Sequence, residues 1–299
     1  MSGDPVRYRE GLLMLAIVVL SWGSVWPVHK EILESLPPQW LVAWRSAIAT
    51  VVVFAIALSR GHLPRPGRAD VPVVLSITLL HMVGFALLTT WGLQVVSAGR
   101  SVVLAYTTPL WVIPAARVFL GERLTARRSV GAIVGLLGLA IFFNPLAFDW
   151  ADRDAILGNG AILAAALLWA GSIVHIRRHR WRATPFELVP WELLLATMLL
   201  TPAALASGRW PAVEWSARLV ALLLYSGVVG MGIAYWAVAT AGRLLPAGTV
   251  SVGLLATPVV SIAFATFWLG EAVTPSLVAA VVLILGGVAC SVTASRTRA

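Results

Sequence analysis

Only 12% of this 299-residue chain is charged, so few side chains can do chemistry. Inside the apolar stretches, His81 stands out as the titratable group with an ordinary pKa near neutrality, able to hold a carboxylate or carry a proton. It shares a helical face with Thr78, Phe85 and Leu88, which follow at three-to-four spacing. Trp22, Tyr106, Trp169, Tyr225 and Tyr235 also lie deep in apolar sequence, with hydroxyls at Thr107 and Ser251. Aromatic walls carrying a few hydroxyls suit an apolar or amphipathic small molecule, and ring faces attract an ammonium group. Packing of rings against neighbouring helices is the plainer reading of any one of them. We take Trp22, Thr78, His81, Tyr106, Trp169, Tyr225, Tyr235 and Ser251 as candidate binding residues.

Other constellations carry less. His175 and His179 are four apart, but no third ligand is near and four arginines surround or follow them, so no metal site is expected. There is no G-x-S-x-G, no H-E-x-x-H and no deep pair of Asp residues, which argues against catalysis and calls for no cofactor. Arg45 reads as about one turn inside its span, placed to snorkel or to pair, with carboxylate binding as the alternative. Glu187 and Glu192 read as partners for the Arg177–Arg182 cluster at the start of a span.

These residues must be positioned by membrane helices. Hydrophobic residues make up 59% of the chain, with a mean hydropathy of +0.88, and soluble domains are about a quarter charged. The apolar runs do not alternate, so they are helices rather than barrel strands. Ten spans are expected, near 11–29, 39–58, 71–95, 99–120, 126–146, 157–177, 186–206, 216–240, 246–269 and 275–294. The first is expected to be retained, because no A-x-A site follows it. With the amino terminus inside, 16 Lys and Arg fall on the inner side and five on the outer. That asymmetry predicts both termini in the cytoplasm and explains the net charge of +9 without a nucleic-acid partner. The single cysteine, Cys290, excludes an intrachain disulfide.

The chain also repeats itself. Ala98–Thr125 and Ala247–Thr274 align without a gap at an offset of 149 residues. The alignment pairs Pro109 with Pro258, and Leu120-Gly121-Glu122 with Leu269-Gly270-Glu271. Each proline is expected to kink or break its helix, freeing carbonyls near Ala105 and Leu254 beside a cavity or hinge. The Leu-Gly-Glu-x-x-Thr segments read as corners: glycine ends one helix, Thr125 or Thr274 caps the next, and the carboxylate favours a helix amino terminus. Five spans per copy is an odd number, so the copies are expected to insert upside down relative to each other. The fold expected is therefore all-α, one transmembrane domain over 1–299, with repeat one at 11–146 and repeat two at 157–294 as a 5+5 inverted repeat of ten helices. That plan is the signature of a secondary transporter.

These marks identify a resemblance. Leu20-Ser21-Trp22-Gly23-Ser24, Arg45, and Pro109 followed by Leu-Gly-Glu122 resemble the drug/metabolite transporter superfamily of the EamA-type ten-helix kind. The second half repeats the pattern with Leu168-Trp169-Ala170, Gly227…Ala234-Tyr235-Trp236, and Pro258 followed by Leu-Gly-Glu271. Within it the chain is similar to bacterial amino-acid exporters of the YddG type. The resemblance implies export of a small organic metabolite across the bacterial inner membrane by alternating access, most simply an aromatic or other apolar amino acid. It implies a small-molecule substrate and a lipid bilayer as partners, no nucleic acid, and a monomer or weak homodimer. A drug or toxic-cation exporter of the same fold is the nearest rival; an intramembrane enzyme or a channel is the rival from another class. Ala170 stands where helix 1 has Gly23, so the two halves of the cavity are expected to differ.

Overall fold

Long apolar runs without charge can only bury their backbone polar groups as helices, and the computed structural model is all-helical among the described residues. These are residues 5–59, 61, 65–121, 126–143, 151–179, 182–207, 213–245 and 247–293. The first half runs α1 (Pro5–Ile32), α2 (Pro38–Ser59), α3 (Val71–Ser76), π1 (Ile77–Phe85), α4 (Ala86–Leu93), α5 (Ala98–Ala105), α6 (Thr108–Leu120) and α7 (Ala126–Phe143). The second runs α8 (Arg153–Arg178), α9 (Pro185–Ala206), α10 (Ala217–Gly227), π2 (Val228–Ile233), α11 (Ala234–Leu244), α12 (Ala247–Leu254), α13 (Ala256–Leu269) and α14 (Pro275–Thr293). Seven stretches are long and apolar enough to cross a membrane, and Ser129–Ile141, Ala256–Leu269 and Pro275–Cys290 are shorter apolar helices.

Helix ends follow local chemistry. Gly121 and Gly270 close α6 and α13 in the left-handed region, at φ 66° and 68°, where a side chain would be strained. Thr274 Oγ1 accepts the Leu277 N–H at 3.2 Å, capping α14, which opens on Pro275. Thr184 and Glu187 form a reciprocal capping box at α9, and Asp152 and Ser216 cap α8 and α10. Glu122, Arg123 and Thr125 lie outside the described residues.

The span expected at 99–120 is two helices. α5 stops at Ala105 and Pro109 stands in the first turn of α6. A proline there needs no N–H partner. The Ala105 carbonyl, left without its helical donor, is met by the Thr108 hydroxyl at 2.7 Å. α12 and α13 break at Leu255, with Pro258 in the opening turn of α13. A second departure is that the spans at 71–95 and 216–240 each contain a π segment, π1 and π2, at matching places in the two halves. Neither π segment holds a proline, so no helix breaker in its sequence marks it off from ordinary α-helix.

Packing crosses the chain's midpoint. α1 lies on α13 and α11, while α8 lies on α6, α4 and π1; α2 packs along α9, and α7 along α14. Each long helix of one half therefore rests mainly on elements of the other. α7 and α14 close on glycine: a Cβ at Gly287 would stand 2.4 Å from the Gly131 carbonyl oxygen. Such small-residue contacts let membrane helices approach when lipid supplies no hydrophobic force between them.

Asp70 fastens the start of α3 to the α8–α9 turn. Its carboxylate, 1% exposed, accepts from His179 Nε2 at 3.0 Å and from the Arg182 and Ala183 N–H groups at 3.2 Å each. The His179 hydrogen bond chiefly, with both backbone donors adding to it, holds the Asp70 carboxyl below the usual carboxylate range. A depressed folded-state pKa stabilises at pH above the unfolded value and fades as pH falls through the folded one. Asp70→Asn should therefore lower the melting temperature in detergent at pH 7, with the gap to wild type closing below about pH 4. A gap constant from pH 7 to pH 3 would contradict this.

Candidate functional site

A cavity of about 90 Å³ opens near the middle of the spans. That holds several waters or part of a small organic molecule. Both halves build its walls. Trp22 comes from α1, His81 and Phe85 from π1, Tyr106 from the α5–α6 break, Trp169 from α8 and Tyr235 from α11. Trp169 is the hub: His81 stacks on it at 5.1 Å with 9° between planes, and Phe85 and Tyr106 meet it edge-on at 5.2 and 5.8 Å. Trp22 meets Tyr235 edge-on at 6.1 Å, and the Tyr235 ring lies 6.3 Å from that of His81. Tyr106 and Pro258 also line one small void, so the two broken spans come together beside this ring.

Five of the eight candidate binding residues thus line the cavity, and Thr78 and Tyr225 do not. Thr78 is fully buried behind it, its hydroxyl donating to the Glu192 carbonyl at 3.4 Å. The cause is π1: a turn closed by i→i+5 bonds takes more than four residues, so Thr78 falls out of line with His81 while Phe85 stays. Tyr225 is withheld because its hydroxyl bonds Ser24 Oγ at 2.6 Å, joining α10 to α1. Ser251 belongs to α12, and its side chain lies outside the described residues.

Sequence reasoning missed part of the lining. Trp26 and His29 lie four and seven residues past Trp22, one face of α1, a spacing that was readable. His29 is buried, and its Nε2 pairs with Ser226 Oγ at 2.8 Å across the halves. Arg45 does not snorkel. It stands two turns into α2 and faces the cavity, beside Ser46. Glu192 is not a solvated partner of the arginine cluster either: it is 2% exposed, inside α9, and its Oε1 has no hydrogen-bond partner. Among the described residues no group of three His, Cys, Asp or Glu could hold a metal, and His179 bonds Asp70.

His81 makes ring contacts but no hydrogen bond to a described residue. His81→Ala should therefore leave the purified protein monodisperse and folded while lowering its uptake of small molecules in reconstituted vesicles by about tenfold, the scale of one lost ring stack. Unchanged uptake would remove His81 from the site.

Comparison with known proteins agrees with a duplicated chain. The sequence profile of the EamA-like transporter family matches twice, over residues 9–144 and 156–293. The "Uncharacterized transporter YoaV" of Bacillus subtilis is 24% identical over 93% of this chain and 94% of its own length. The "Probable terminal-alkyne amino-acid exporter" of Streptantibioticus cattleyicolor is 27% identical, covering 95% and 93%. The pseudopaline exporter CntI of Pseudomonas aeruginosa is 26% identical over 75% of each. A crystal structure 23% identical superimposes with a TM-score of 0.66 over 97% of this chain and 99% of its own, which bears on the fold alone.

Proposed function

Because the chain belongs to the EamA-like transporter family, and is a membrane transporter rather than an enzyme, we propose that it exports aromatic or other apolar amino acids from a bacterial cytoplasm by alternating access. The observation that carries this reading is the cavity walled by rings from both halves, with His81 of the first half stacked on Trp169 of the second. A site shared in this way changes its exposure when one half rocks against the other. We read the chain as one domain of ten spans, repeat one at 11–146 and repeat two at 157–294, inserted in opposite orientations in the inner membrane with both termini cytoplasmic. The exchanged packing supports that reading, since α1 on α13 and α11 mirrors α8 on α6 and α4. The paired breaks ahead of Pro109 and Pro258, and the paired π segments, support it as well. Trp22, His81, Tyr106, Trp169 and Tyr235 form the binding surface of this reading, and the two broken spans its hinges.

Reconstituted vesicles test it. Vesicles preloaded with unlabelled phenylalanine should accumulate labelled phenylalanine by counterflow that saturates and is competed by tryptophan. Ohmic current without counterflow would mean a channel, and hydrolysis without accumulation an enzyme; either result overturns the proposal.

A further inference from the structure

We infer that Arg45 is the anchor for a substrate carboxylate, so that the cavity takes organic acids, including zwitterions, and rejects the corresponding amines. The inference rests on the transporter reading and adds the chemical group that the site recognises.

Arg45 is the eighth residue of α2, so its Cα lies about 10 Å below the helix end. Its side chain, half-buried overall, enters the cavity, and its Nε is sealed from solvent without a hydrogen-bond partner. Guanidinium offers five donors in a planar fork and stays charged in proteins. A buried charge without a partner is expensive, and removal of a partner from such a pair is among the most destabilising of changes. Here the described lining supplies no partner, because it contains no Asp or Glu. The titratable groups within electrostatic reach of Arg45 are His29, His81 and Tyr235, all neutral or cationic in their ordinary forms. Glu192 also acts on Tyr235 but lies outside the cavity lining and forms no ion pair with Arg45 among the described residues. Lys30 is engaged elsewhere, donating to the carbonyls of Leu93, Gln94 and Val96.

The cavity is thus positively charged, small and aromatic. A carboxylate matches the fork with two parallel hydrogen bonds. A phosphate dianion would leave one charge unneutralised against apolar walls. Trp169 and Tyr235 line the same cavity as Arg45 and offer aromatic surface for the body of the same molecule. A drug-like cation meets repulsion at this site, which sets the reading apart from its cation-exporting rival.

The test uses full-length protein in vesicles and four probes: phenylalanine, phenylalaninamide, 2-phenylethylamine and 3-phenylpropionate. Wild type should move phenylalanine and phenylpropionate and discriminate against the two amine-only probes by about 100-fold, as when one side of a buried charge pair is removed. Arg45→Gln should abolish that discrimination, and Arg45→Lys should keep its direction with weaker apparent affinity. The substrate-free Arg45→Gln protein should melt at or above the wild-type temperature, since it sheds an uncompensated charge. A marked fall in melting temperature would mean that Arg45 is structural, and would overturn the proposal. If Arg45→Gln does not fold, the four probes on wild type decide alone. Amines moving as well as acids would overturn the anchor while leaving the carrier intact. Wild type moving none of the four would overturn anchor and amino-acid reading together.

Discussion

Trp169→Ala should nearly abolish transport of aromatic amino acids, by about 100-fold in counterflow, while the protein still inserts and purifies. Trp169 holds three rings at once, the flat face of His81 and the edges of Phe85 and Tyr106. Each such pair is worth about 0.5–1.5 kcal/mol beyond simple burial. Loss of all three removes roughly 3 kcal/mol of preorganisation, and about 1.4 kcal/mol is tenfold in binding. The fold should tolerate the change because Trp169 is only partly buried and faces a cavity on one side. Trp169→Phe keeps a ring on His81 and should retain about a tenth of the activity or more. The informative comparison is with Trp111, also on a broken span, whose indole Nε1 donates to Thr107 at 3.1 Å and which does not line the cavity. Trp111→Ala should leave apparent affinity unchanged. If both substitutions reduce transport equally, the ring cluster has no special place in binding.

Much of this could be read from residues alone, and the failures have causes. The Leu269-Gly270-Glu271 corner was legible because a glycine at a helix end and a threonine four residues past it are local chemistry, settled within about a turn. The aromatic wall was legible because Trp22 and Trp169 repeat in the two halves. Thr78 was misplaced because Ile77–Phe85 carries no residue that distinguishes a π turn from an α turn, and helical spacing then assigns the wrong face. Tyr225 was misplaced because its partner, Ser24, lies 201 residues away. Arg45 and Glu192 were read as near-surface because each falls near the end of its expected span, where charged side chains reach the interface. Their depth depends on where each helix starts, at Pro38 and Pro185, and on the close packing of α2 along α9. Ser46 and Thr50 both bond Thr197 at 2.9 Å across that seam, a short polar ladder level with Arg45.

The Glu271 carboxylate has a larger part than its corner suggests, and Glu271→Ala should open one end of the molecule. Sequence reasoning placed this acid at a helix amino terminus without saying which. It serves α5, in the other half: Oε1 accepts the Ala98 N–H at 2.6 Å and Oε2 the Gly99 N–H at 2.9 Å. Those N–H groups are among the orphan donors of a helix start, and the helix dipole favours a carboxylate there. Gly99 permits the approach, since a Cβ would lie 3.2 Å from Oε2. Beside it Lys30 gathers the carbonyls that end α4, so both sides of the 93–98 turn are held by opposite charges, one from α1 and one from the turn after α13. Hydrogen bonds to charged groups contribute about 1.5–3 kcal/mol each; partial exposure puts the pair near the lower limit, about 3 kcal/mol. On the alternating-access reading this clamp must release once per cycle, so its loss shifts the closed end toward open by about 100-fold. Ala98 is fully buried, which gives the readout. In a Cys290→Ser background, a cysteine at position 98 should react with maleimide at least tenfold faster when Glu271 is Ala, and counterflow should fall. Glu271→Gln keeps one acceptor oxygen and should lie between. Equal labelling with and without Glu271 would show that the two hydrogen bonds do not hold that end shut, and the cycle would need another latch.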